Sequence, residues 1–202
     1  MTIDMNDMLN SILNELSHLQ YVHPGDIPNI DLYMDQVTTF MEEQLAHSKR
    51  YQEDKILTKT MINNYAKNNL LPSPVKKRYS KEHLLVLIFI YYFKNILSIN
   101  DIQTLLNPIT DKYFKSQEKL DLTSIYEEVF SMEKEQIEVL KKELLKNYQT
   151  AQNTFTDAPA DEQDFLKLFS FICLLSFDVY MKKTIIEQMI DSLRENDPKK
   201  KK

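Results

Sequence analysis

The sequence predicts an all-α fold, with the longest helices in the C-terminal half. Three observations lead there. Gly25 is the only glycine in 202 residues. A chain with one glycine is not expected to supply the positive-φ positions that many tight hairpins need, so sandwiches and barrels are not expected. Apolar residues recur three and four positions apart through most of the chain, the spacing of one helical face. Hydrophobic and aromatic residues are also frequent enough to build a packed core, which excludes global disorder. The length suits one ordinary domain, or a small head with a helical extension.

Taken in order, residues 6–20 place Met8, Ile12, Leu13, Leu16 and Leu19 on one helical stripe. Residues 21–29, with His23-Pro24-Gly25-Asp26 and Pro28, read as a loop. Asp31 is a candidate cap for a helix carrying Tyr33, Val37, Phe40, Met41 and Leu45 on its inner side. Residues 46–56 are a polar connection. Thr58 or Thr60 starts a short helix to Asn68, with Ile62 and Tyr65 inward and Asn69 as a left-handed terminator. Pro72 and Pro74 bracket a turn, and residues 75–79 are extended. Ser80 caps a helix that is apolar around most of its circumference, from Leu84 to Phe93, and so belongs in the core. Ser98 and Asp101 form an acidic capping box for a helix with Ile99, Ile102, Leu105 and Leu106 inward, which Asn107-Pro108 stops. A long helix runs from Thr123 or Ser124 to about Gln149, presenting Ile125, Val129, Met132, Ile137, Leu140, Leu144 and Tyr148 on one side. A connection containing Pro159 leads to a last helix from Asp161 to about Arg194, whose apolar length demands a large partner surface.

Several function classes fall away. One glycine cannot complete a Gly-rich phosphate loop. Cys173 is the only cysteine, so no disulfide and no cysteine-based zinc site forms within the chain, and its apolar surroundings make it a small buried hydrophobe. His18, His23, His47 and His83 are scattered without metal-ligand spacing. The carboxylate pairs Glu42-Glu43 and Glu127-Glu128 are adjacent and splay across a helix surface, where they are solvated. No enzyme activity, cofactor or metal is expected. The N-terminus is acidic where a secretory signal is basic, and residues 84–93 and 165–177 are too short to span a bilayer. A cytoplasmic protein with no membrane role is the expectation.

The formal net charge of −5 is unevenly spread. Residues 1–48 carry eight acids and no Lys or Arg, whereas residues 49–82 carry nine bases and three acids. A basic block inside an acidic chain marks an anionic partner, nucleic acid first among them.

Four successive pieces of residues 58–107, beginning inside that block, resemble MerR-type winged helix-turn-helix regulators. Residues 60–72, Thr-Met-Ile-Asn-Asn-Tyr-Ala-Lys-Asn-Asn-Leu-Leu-Pro, resemble the family's recognition helix and exit. Ile62 takes the apolar position, Tyr65 the second tyrosine and Asn69 the glycine. Lys77-Arg78-Tyr79-Ser80 resembles the close of the wing. The helix that follows, and residues 97–106 with their Leu-Ser-Ile-x-Asp-Ile-x-x-Leu-Leu pattern, resemble the next two elements. Asn63 stands where the family has arginine and Asn64 where it has its first tyrosine. The block is also similar to a bacterial family of uncharacterised proteins sharing this core.

The resemblance implies a MerR-like winged helix-turn-helix core with a short wing or turn. Residues 1–30 then form an acidic helix and loop, and residues 31–108 the DNA-binding domain. Residues 109–197 form a helical dimerisation or effector region, and residues 198–202 a basic tail. Lys59, Thr60, Asn63, Asn64 and Lys67 would line the exposed side of the inserted helix, and Lys76, Lys77 and Arg78 would meet phosphates. Lysines position, while the asparagines specify, since asparagine can read adenine bidentately. Tyr65 and Tyr79 are core anchors, as are Tyr91 and Tyr92 by periodicity. The expected partners are double-stranded DNA and a second copy bound through the C-terminal helices. The competing expectation is a protein-interaction adaptor that keeps the fold without contacting DNA, its acidic 1–48 segment covering the basic face.

Overall fold

The computed structural model describes residues 4–18 and 21–196, which form two compact units. The stripe residue Leu19, the first three residues and the basic tail 198–202 lie outside the described residues. Each unit is assembled from separated stretches of chain. The first takes the N-terminal segment and residues 132–186. The second takes residues 21–131 and the chain from 187 onward. The fold is mostly helical, as the glycine count and periodicity predict.

In the first unit, α1 (Met5–Ser17) is capped by Asp4, whose carboxylate accepts from the backbone N–H groups of Asn6 and Asp7. Its stripe packs against α7 (Glu133–Gln152) and α8 (Ala160–Glu195) around Met5, Leu9, Leu144, Ala151 and Phe171. Tyr148 closes the edge, its hydroxyl donating to Asn6 Oδ1 at 2.7 Å.

The second unit begins with a loop and β1 (Leu32–Tyr33), then α2 (Met34–Gln44). Asp31 does not cap α2. Leu32 and Tyr33 are instead drawn into an antiparallel pairing with β2 (Arg78–Tyr79), so the helix starts two residues later. Gln36 Oε1 takes the orphan N–H of Tyr33 at 2.8 Å. The pairing also turns Tyr33 outward, half exposed, in place of the inward position expected of it. Val37, Phe40, Met41 and Leu45 are buried as their spacing predicts.

Residues 45–58 separate α2 from α3 (Lys59–Lys67) and are pinned at several points. Glu42 pairs with Lys49 and accepts from the Ile56 N–H; the Lys49 bond leads in holding its carboxyl below the usual glutamate range. Ser48 shares a short hydrogen bond with the Tyr91 hydroxyl. Lys94 Nζ donates to the Ile56 carbonyl at 2.7 Å while lying over the Tyr91 ring, and burial lowers its pKa. Ile56 and Leu57 plug the core.

The helix α4 (Lys81–Phe93) is the centre of this unit: His83 through Tyr91 are all buried. Burying one such aliphatic side chain contributes about 1.5–3 kcal/mol, which explains why an apolar circumference is tolerated here. Tyr92 is half-buried against the same core. The helix α5 (Ile99–Tyr113) has the expected capping box, with Asp101 accepting from Ser98 at both N–H and Oγ. Asp101 also receives Arg194 Nη2 at 2.6 Å, and the Ser98 bond is the leading cause of its lowered pKa. Pro108 does not stop α5. It is exposed, so water can reach the Thr104 carbonyl that loses its helical donor, while Leu106 and Ile109 anchor the turns around it. Ile99, expected inward, is 40% exposed in the first turn.

The single helix expected over residues 123–149 is two. The helix α6 (Leu122–Ser131) is started by a reciprocal Asp121–Ser124 pair and buries Leu122 and Tyr126 in the second unit. The chain breaks at Met132, and α7 serves the first unit. The Ser131 hydroxyl bonds back to the Glu128 carbonyl at 2.8 Å, competing with the helix ladder there. Val129 and Met132, expected on the inner stripe, are exposed.

Candidate nucleic-acid interface

Thr58 starts α3: its Oγ1 accepts from the Met61 N–H at 3.2 Å. Ile62 and Tyr65 hold the helix to the core, and burial raises the Tyr65 phenol pKa. At 3.6 residues per turn, Lys59, Asn63, Lys67, Thr60 and Asn64 fall on the opposite side, and all five are exposed. The helix ends in a Schellman motif. Asn69 sits at φ 56°, the Leu70 N–H bonds the Tyr65 carbonyl at 2.9 Å, and the Asn69 N–H bonds the Ala66 carbonyl at 3.3 Å. Gln103 of α5 caps the Asn68 carbonyl.

Residues 75–78 form a two-residue turn. The Arg78 N–H donates to the Val75 carbonyl at 2.9 Å, and Val75 and Arg78 bridge antiparallel. Lys76 and Lys77 have φ of 51° and 61°, as a type I′ turn requires. The premise that one glycine leaves no such turn is corrected here: lysines occupy both positions, at about 1–2 kcal/mol each. Both are exposed, as is Arg78, while Tyr79 is buried and its phenol pKa raised by that burial.

All eight sequence-derived candidates thus lie in the second unit and face solvent. Two of them have partners that the sequence did not indicate. Lys59 pairs with Asp35 of α2. The Arg78 guanidinium donates to the Tyr33 hydroxyl and stacks on its ring. The β1–β2 pairing joins Tyr33 to Arg78 in register, and neither strand is long enough to leave a clear alternation. Among the described residues no cluster of His, Cys, Asp or Glu could hold a metal ion, and no helix is long and apolar enough to cross a membrane.

The second unit is therefore a helical domain with a two-stranded pairing and an exposed basic helix and turn. The chain belongs to the family described as Domain of unknown function (DUF1836), which matches residues 22–130. That span coincides closely with the continuous part of the second unit. No curated protein and no solved structure matches the chain.

Proposed function

We propose that the protein is a sequence-specific, double-stranded-DNA-binding transcriptional regulator of MerR-like type, working in the cytoplasm. The observation that carries this reading is the pairing of an exposed Lys/Asn face on α3 with a strained lysine turn in the same unit. Non-glycine residues persist at positive φ where something other than local comfort holds them, and such strain clusters at functional sites. In this reading α3 enters the major groove, where Asn63 and Asn64 read bases, while Lys59 and Lys67 meet phosphates beside it. Lys76, Lys77 and Arg78 act as the wing. The C-terminal helices pair two copies; Phe165, Phe169, Ile172, Val179 and Tyr180 share one side of α8 and are all more than half exposed.

The test is selection of genomic fragments by the purified protein at low and near-physiological salt. Enrichment of a few inverted-repeat fragments at the higher salt supports the reading. Replacing Lys76, Lys77 and Arg78 together by Ala should then flatten the salt dependence of binding by about three counter-ions. An unchanged slope refutes the wing assignment.

The second reading, an interaction adaptor, is favoured by one observation. The Asp35 carboxylate already occupies Lys59, as an acidic segment covering the basic face would. Binding that persists at high salt to a protein partner, with no fragment enriched, would select it.

A further inference from the structure

His83 is fully buried at the start of α4, with its ring edge-on to Tyr79 of β2 at 5.5 Å and to Phe114 at 4.8 Å. Its Nδ1 accepts the Ser80 backbone N–H at 2.9 Å, the N-cap bond that joins β2 to α4. The Ser80 hydroxyl also lies 2.9 Å from Nδ1; with the backbone N–H donating there, the neutral ring carries its proton on Nε2. Among the described residues Nε2 has no hydrogen-bond partner. A buried unpartnered N–H costs stability. The turn next to it is under opposite pressure. Lys76 and Lys77 hold left-handed φ values, and the strand that fixes them is two residues long. Tyr79 anchors that strand by packing on His83.

Resting on the DNA-binding reading above, we propose that His83 is the positioning residue of the Lys76–Lys77 turn and that protonating its ring releases the turn. A proton on Nδ1 would face the Ser80 N–H, so this bond is lost on charging. The surroundings compensate the imidazolium only in part: the Ser80 Oγ, 2.9 Å from Nδ1, can accept its proton. Glu82 is engaged by the Ser80 hydroxyl at 2.5 Å. The Tyr79 phenol is neutral, its pKa raised by burial. Against the burial, the Ser73 backbone favours the charged ring, Lys115 repels it, and Glu82 and Asp31 favour it. Burial dominates and pushes the His83 pKa below the ordinary histidine range. With the folded pKa below the unfolded one, the seated wing is favoured at neutral pH. That preference is lost as pH falls below about 6.5, the unfolded value.

The experiment is NMR of the full chain through a pH titration, reading the His83 ring nitrogens and the backbone amides of residues 75–80. The expected result is an Nε2–H tautomer at neutral pH. On acidification, amides 76–80 should move with the midpoint of His83 while those of Leu85 and Tyr126 stay fixed. H83Q keeps an acceptor three residues after the cap and cannot titrate, so its wing amides should hold their neutral positions throughout. Its DNA affinity should be insensitive to pH where the wild type weakens, by at most about tenfold per unit of acidification, below the ordinary histidine pKa. The proposal is overturned if His83 titrates without moving the wing amides, if H83Q retains the pH response, or if all amides move together. These NMR outcomes stand whether or not DNA binds. An absence of DNA binding at every pH refutes the functional reading alone.

Discussion

The Arg78 guanidinium sits over the Tyr33 ring, 5.0 Å from its centroid, and donates to the Tyr33 hydroxyl from Nη2 at 3.0 Å and Nε at 3.2 Å. The two residues are opposite each other in the β1–β2 pairing, so the strand register sets the direction of a charged side chain. Y33A should weaken DNA binding by about 0.5–1 kcal/mol, the scale of an exposed cation–π contact. It should leave the salt slope unchanged, because no charge is removed. R78A should lower the slope by about one. Fluorescence anisotropy across a salt series separates the two effects.

Lys76 and Lys77 should show stability and binding moving in opposite directions. K76G and K77G relieve left-handed backbone strain, so each should stabilise folding by up to about 1 kcal/mol, part of the relief being offset by glycine's freedom in the unfolded chain. Each also removes a charge from the turn and should weaken DNA binding. Urea denaturation and a binding isotherm on the same preparations check both signs. Weaker folding on glycine substitution would mean that the turn's geometry is set by lysine contacts.

Asp35 competes with phosphate for Lys59. D35N should therefore tighten DNA binding by a few-fold at low salt, with little change in melting temperature, because the pair is largely exposed and exposed pairs contribute about 0–1 kcal/mol. Unchanged affinity would place Lys59 away from the nucleic acid.

Much of this was legible in the sequence because single residues gave strong local signals. Asn69 predicted its own left-handed terminator, Ser98 and Asp101 their capping box, and the apolar circumference of residues 84–93 its central burial. What stayed hidden depended on distant chain. Residues 32–33 became a strand only because Arg78 and Tyr79 lie beside them. The break at Met132 was hidden for a different reason. Tyr126, Phe130, Leu140 and Leu144 keep helical spacing across it, yet the stripe serves one core before it and another after. Of the candidate surface, the exposure of the eight residues was readable, while the Asp35–Lys59 pair and the Tyr33 support for Arg78 were not.

The exposed side of α8 predicts a concentration-dependent association. F169E and I172E should each shift the protein toward monomer in sedimentation velocity, because a carboxylate buried in an apolar interface costs far more than it returns. Both residues are about half exposed within the chain, at 53% and 52%, so folding should be little disturbed. A wild type that stays monomeric at every concentration would remove the dimer from the proposal.

Glu42 predicts an acid-sensitive linker. Its carboxyl, engaged by Lys49 and the Ile56 N–H, titrates below the usual range. Its stabilisation is therefore fully present above the unfolded value and is lost as pH falls through the lowered one. E42Q should melt lower than wild type at neutral pH, and the gap should close in acid below about pH 4.5. A gap that is constant with pH would assign the loss to packing instead of charge.

The first unit is closed by α1, whose partners α7 and the start of α8 are encoded more than a hundred residues later. During synthesis the DUF1836 segment leaves the ribosome complete while Met5, Leu9 and the rest of the α1 stripe still have nothing to pack against. Contacts of such sequence separation form late. The nascent chain thus carries an open apolar helix ahead of the DUF1836 segment for the whole time the second unit is assembling, and a translation pause before residue 132 would prolong that exposure.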